Sequence, residues 1–224
     1  MKTSMDAGRR ALLVGVPATF AALTLLHPME DPWELGGALD RWMLVHVGQL
    51  VLTVLLAYSL WLLVDGIRSR IASVTRIVLP VFVVAFTAFD SVAGIATGWL
   101  ARRADDQTGT AREHTLDSIE YLFADNWLAG NLSILGGASA IAWMTIAISA
   151  AIALKGAGAD RLTVIAMCTA VLFANHPAPF GTIGLLALAV AGYRASRGLH
   201  DTGAGRESFS RPARPVAPVG GDER

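Results

Sequence analysis

The chain has 224 residues, of which 54% are hydrophobic and 16% charged, with a formal net charge of zero and a mean hydropathy of +0.51. Soluble domains carry about a quarter charged residues, so this shortfall, concentrated in long apolar runs, excludes an ordinary soluble globule and implies an all-α integral membrane protein. The Lys and Arg residues sit in short gaps and a tail, which leaves no basic surface for nucleic acid. The single Cys168 excludes an internal disulfide or dithiol centre and reads as a small buried hydrophobe.

In chain order, Arg9 and Arg10 precede the first apolar run. That run ends at His27-Pro28 without a small-x-small cleavage site, so it reads as an uncleaved span rather than a signal peptide. Six spans are predicted, at Ala11–His27, Trp42–Val64, Val74–Leu100, Leu128–Leu154, Leu162–Asn175 and Phe180–Ala195. A full crossing needs about 20 residues, and the fifth and sixth runs are short. They read as two spans or as one re-entrant hairpin, reversed at His176-Pro177-Ala178-Pro179. Between spans three and four, Leu116, Ile119, Leu122 and Phe123 recur at helical spacing among acidic residues. They predict a short amphipathic helix near 115–126, lying on the membrane surface or over the mouth of the bundle. The bundle is expected to occupy 1–198, and the Gly-, Ser-, Pro- and Arg-rich segment 199–224 is expected to be a disordered cytoplasmic tail.

The distribution of basic residues sets the orientation. Arg9 and Arg10, then Arg68, Arg70 and Arg76, then Lys155 and Arg161, then the basic tail all fall on one side of six alternating spans. The other side receives Glu30, Asp31, Glu34 and Asp40, and then the acidic stretch from Asp105 to Asp125, with Arg41, Arg102, Arg103 and Arg112 as the discordant basic residues. Both termini are therefore expected in the cytoplasm, with the His-Pro helix ends on the extracytoplasmic side of the cell membrane. Trp33, Trp42, Trp99 and Trp127 fall at that outer boundary, as an interfacial aromatic belt would.

Ionisable residues inside spans are costly, and each is a functional candidate. Asp90 falls near the middle of span three, with Gly94, Thr97 and Gly98 on its face, where a neighbouring backbone can approach closely. On span two, His46, Gln49 and Thr53 follow an i, i+3, i+7 pattern, which points them into the bundle. The stripe stops at Leu56 and Leu60, so it suggests a pocket in the outer half rather than a continuous path. His27, His46 and His176 end or enter three different helices at similar depth, and Asn131 falls in the same layer.

Asp90, His46, Gln49, Thr53 and Asn131 are therefore the candidate ligand or proton site. His27, His46 and His176 form the candidate set for haem or a transition metal, since imidazoles on separate helices ligate both. Gly136-Gly137-Ala138-Ser139-Ala140 is similar to the Gly-x-Ser-Gly of rhomboid proteases over those few residues only. The final glycine is replaced by Ala140 and no later His-x-x-Gly follows, so the segment reads as a close-packing face. The Ala, Gly and Arg bias is that of many bacterial multi-pass proteins and implies no activity. Three functions fit these residues: a small-ligand or proton-linked binding or transport protein, a haem- or metal-binding redox protein, and a scaffold or accessory subunit. The expected partners are the lipid bilayer and a second copy or another membrane subunit.

Overall fold

The computed structural model describes residues 7–206 and contains no strand among them. Residues 7–24 are helical, with a π-helical turn at Ala11–Gly15 leading into α1, Val16–Thr24. A 3-10 turn, Gly36–Ala38, leads into α2, Leu39–Leu63. Helix α3, Arg70–Phe89, runs through a π-helical stretch, Asp90–Ala96, into α4, Thr97–Asp105. Then come α5, Gly109–Glu120, with a π-helical end at Tyr121–Asp125, and α6, Ile134–Gly156. Helix α7, Arg161–Thr169, tightens into a 3-10 turn at Ala170–Ala174, and α8 spans Phe180–Arg206.

Among the described residues, three helical segments are long and apolar enough to cross a membrane: Gly36–Leu63, Arg70–Asp105 and Ile134–Gly156. The apolar segment Arg161–Ala174 rises roughly 23 Å, short of the ~30 Å hydrocarbon layer. Their surfaces are the reverse of a soluble protein's. On α2, Leu44, Val51 and Val54 are exposed while Gln49 and Thr53 are fully buried. On α3, Ile77 and Val84 are exposed while Thr75 is buried. An apolar exterior around a partly polar interior is the pattern a lipid solvent selects.

The starts of α3, α6 and α7 have a local cause. Ser69, Ser133 and Asp160 each accept hydrogen bonds from the first-turn amides of α3, α6 and α7. Gly66 and Gly158 adopt φ of 78° and 88° just past α2 and α6, where a left-handed residue lets the chain leave the helix. Span four was expected from Leu128, yet its helix begins at Ile134. The Asn126 side chain accepts from the amides of Leu128 and Ala129, and this local turn competes successfully with helix.

Helix α3 packs along α6, α1 against α8, and α7 with its 3-10 turn antiparallel to α8. Phe20, Phe82, Trp143, Ile146, Phe173 and Leu185 fill the centre. Short polar bonds join helices across this core: Thr24 Oγ1 to Thr182 Oγ1 at 2.8 Å, Thr75 Oγ1 to Ser149 Oγ at 2.8 Å, and Trp143 Nε1 to the Ala170 carbonyl at 2.7 Å. Each is worth about 0.6–2 kcal/mol between helices in an apolar medium. Cys168, expected to be buried, is exposed on α7. The 199–224 tail falls mostly on residues 207–224, outside the described residues; α8 continues to Arg206.

The amphipathic segment folds as α5 and its π-helical end. Ile119 is fully buried against Leu35, Leu39, Trp42 and Ala101, with Leu116 and Phe123 alongside. It therefore forms a wall at the end of the bundle that carries the His-Pro turns, called here the histidine end.

Candidate functional site

The histidine end gathers residues from four parts of the chain. Asp90 opens the π-helical stretch, a geometry often found at functional positions because it widens one turn and re-aims a side chain. Its Oδ1 lies 2.6 Å from Nδ1 of His46 on α2. Asp90 is fully buried and His46 is 4% exposed, so water contributes little to either. One hydrogen must occupy so short a bond. With a second hydrogen on His46 Nε2 the pair is net neutral, the less costly way to bury both groups; with Nε2 bare it carries one negative charge.

The other two histidines lie against this pair. The ring centroids of His27 and His46 are 5.1 Å apart, those of His27 and His176 5.5 Å, and those of His46 and His176 6.4 Å. The sequence places these three at similar depth, and the fold brings them together. The Pro28 carbonyl accepts from His27 Nδ1 at 2.5 Å. In the neutral ring that leaves Nε2 as an acceptor.

A cavity of about 160 Å³ opens between these rings, lined also by Glu30, Asp31, Phe123 and Asn131. Asn131 is exposed and sits in the turn before α6 rather than on a span, but it reaches the layer expected of it.

Trp42, Gly94 and Gly98 complete the site. Trp42 was read as part of an interfacial belt; it is 2% exposed, donates from Nε1 to the Gly94 carbonyl at 2.7 Å, and lies 4.4 Å from the His46 ring. Trp99 and Trp127 are exposed, as belt residues would be. Gly94 and Gly98 form a groove, but it receives rings rather than a backbone. A Cβ at Gly94 would overlap the His46 imidazole, and one at Gly98 would meet Trp42 and Met43. The Gly-x-x-x-Gly spacing was the available signal; which partner fills it depends on the register between α2 and α4.

Beneath the cavity the polar inventory does not close. Among the described residues, six buried side-chain atoms have no hydrogen-bond partner: His46 Nε2, Asp90 Oδ2, both amide atoms of Gln49, Thr53 Oγ1 and Thr87 Oγ1. All lie on one stretch of α2 and the facing stretch of α3, within two helical turns of the His46–Asp90 pair. Buried polar groups are nearly always satisfied by protein or water, so such a cluster marks a place built for something the bare fold does not supply.

A carboxylate at Nδ1 that leaves Nε2 free is also how metal-ligating imidazoles are oriented. Against that chemistry, no group of three or more His, Cys, Asp or Glu side chains among the described residues gathers its donor atoms as a metal ion requires. Compared with family models, curated proteins and solved structures, the chain matches none.

Proposed function

We propose that this chain is a multi-pass protein of the cell membrane, with six crossings, both termini in the cytoplasm and the histidine end facing outward. The alternation of basic and acidic gaps supports that orientation, and the apolar exteriors of α2, α3 and α6 support the membrane setting. Its function is to bind a small ligand at the outward pocket, with the binding or transport linked to a proton. The His46–Asp90 pair is the proton-exchanging group, Gln49 and Thr53 are the buried polar groups that follow it along α2, and Asn131 stands at the rim of the site. The observation that carries this reading is the cluster of unpartnered polar atoms around the His46–Asp90 pair, of which His46 lines the cavity. A scaffold that only locked its helices together would consume those bonds internally, as Thr24–Thr182 and Thr75–Ser149 do.

Thermal shifts of the full-length protein in lipid nanodiscs test this. The protein is screened against a panel of amines, neutral alcohols and carboxylates at two pH values. At least one solute should stabilise the wild type in a pH-dependent way, and Asp90→Asn should abolish that dependence while the protein stays folded. A wild type that responds to every solute as Asp90→Asn does would sink the idea.

A second reading is favoured by one observation, the carboxylate-oriented His46 beside two other imidazoles. In that reading His27, His46 and His176 hold haem or a transition metal. An absorption spectrum before and after dithionite decides for haem through its Soret, α and β bands, and elemental analysis decides for a colourless ion.

A further inference from the structure

A second cavity adjoins the histidine chamber. It occupies about 550 Å³ between α3, α6 and the 3-10 turn after α7, and shares Phe89, Asn131, His176 and Pro177 as walls with the chamber. Away from the chamber its walls are Phe82, Phe86, Phe173 and the Trp143 ring, facing Gly137 and Ala140. From Gly136 to Trp143 the α6 wall descends about 10 Å into the membrane.

Apart from Asn175, next to His176 at the chamber end, the polar side chains along this descent are engaged. Trp143 Nε1 donates to the Ala170 carbonyl, Ser139 donates to the Gly136 carbonyl, and Ser133 caps α6. The cleft thus offers hydrocarbon and aromatic faces, while unpartnered hydrogen-bonding atoms wait only at the chamber end.

We propose that the two cavities form one site for an amphiphile, with a hydrocarbon chain in the aromatic cleft and a polar head in the histidine chamber. Charge selects the head. No Lys or Arg lines either cavity among the described residues, and Glu30 and Asp31 stand at the chamber rim. A phosphate or carboxylate head would be buried without a counter-ion, which is costly. An anionic head is thereby disfavoured, and an uncharged head that bears oxygens can bond to imidazole and amide without a counter-ion. Isoprenoid quinones and monoacylglycerols share that chemistry. The inference rests on the pocket reading above and names the ligand class of the same site.

The test uses the full-length protein in phosphatidylcholine nanodiscs, with decylubiquinone as a quencher of tryptophan fluorescence, since Trp42 and Trp143 are wall residues. A saturable component is expected above the linear quenching that comes from partitioning into lipid. Gly137→Leu and Ala140→Phe add bulk to the cleft and should each weaken the saturable component by at least about tenfold. Gly137 faces open space, so its variant should fold normally. His176→Gln should weaken it about fivefold by removing one head-group bond.

Displacement by monoolein would assign the site to neutral amphiphiles in general, and its failure to displace would assign the site to quinones. Strictly linear quenching of the wild type, saturable quenching unchanged in both cleft variants, or equal displacement by dodecyl phosphate would each overturn the proposal. Asp90→Asn separates the two readings. If saturable quenching keeps the wild-type pH profile in that variant, proton linkage fails and the cleft stands. If the solute panel shows Asp90-dependent effects without saturable quenching, the cleft fails and the pocket stands.

Discussion

The two ends of the bundle treat their polar groups in opposite ways. At the arginine end, Arg9 donates to the Leu62 carbonyl at 2.6 Å, and Arg76 donates to Val64 at 2.6 Å and Ile67 at 3.1 Å. These bonds close the carbonyl terminus of α2, where a cation is also favoured by the helix dipole. Asp160 caps α7 and pairs with Arg194 at 2.9 Å. There the polar groups finish the helices and find partners in the fold. At the histidine end, His46 and Asp90 find each other, and then the partners run out for six buried atoms. The difference teaches that polarity inside a membrane bundle is not one signal. Groups that terminate helices are consumed by the fold, and groups left over beneath a cavity are surplus to it.

Substitutions can break or sharpen this contrast. The largest effect should come from Asp90→Ala, which leaves His46 buried with nothing at Nδ1. A loss of about 3 kcal/mol is expected, measured by chemical denaturation in mixed micelles. Next is Gly94→Ala, whose added methyl overlaps the His46 ring and should cost about 1–3 kcal/mol. Gly137→Ala, which points into open space, should be neutral or slightly stabilising in the same assay. Equal costs at the two glycines would mean that the ring-in-groove contact is not what holds His46.

Trp42→Phe keeps the ring against His46 and removes the bond to Gly94, for an expected loss of about 1 kcal/mol.

The smallest effect belongs to Asp160→Asn at the arginine end, and it carries a pH signature. Bonding to the Thr163 hydroxyl and then to Arg194 holds the Asp160 carboxyl well below the usual carboxylate range. A depressed folded-state value contributes stability above the unfolded value, near 3.9. That contribution is lost as the pH falls through the folded value. The gap in melting temperature between wild type and Asp160→Asn should therefore be constant near neutrality and close on acidification below about pH 4. A gap that widened on acidification would contradict the assignment.

Much of the histidine end was legible in the sequence because the membrane makes polar residues expensive. Asp90, His46, Gln49 and Thr53 stand out on cost and helical spacing alone, and all four are buried on facing helices. Trp42 was not legible as a site residue: an aromatic at a helix end is the ordinary interfacial pattern, and only the register between α2 and α4 turns it inward. Asn131 sits among Leu128, Leu132 and Ile134, whose hydropathy hides the turn that Asn126 nucleates. The aromatic cleft was hidden for a different reason. Small residues on one helix facing large rings on another can mean close packing or a gap, and the choice depends on an interhelical distance that no local pattern encodes. Of the six predicted crossings, three have helices of full length and apolarity. The first, fifth and sixth are diluted by arginines or shortened by the proline turn.

Whether the His46–Asp90 pair serves a ligand or proton rather than the fold is decided by the stability of the double variant His46→Leu/Asp90→Leu beside each single variant, measured by chemical denaturation. A buried pair retained for function can be replaced by apolar side chains at little cost. The double variant should therefore lie within about 1 kcal/mol of the wild type or above it, while each single variant falls well below. A double variant as unstable as the worse single one would make the pair a structural lock and contradict the account.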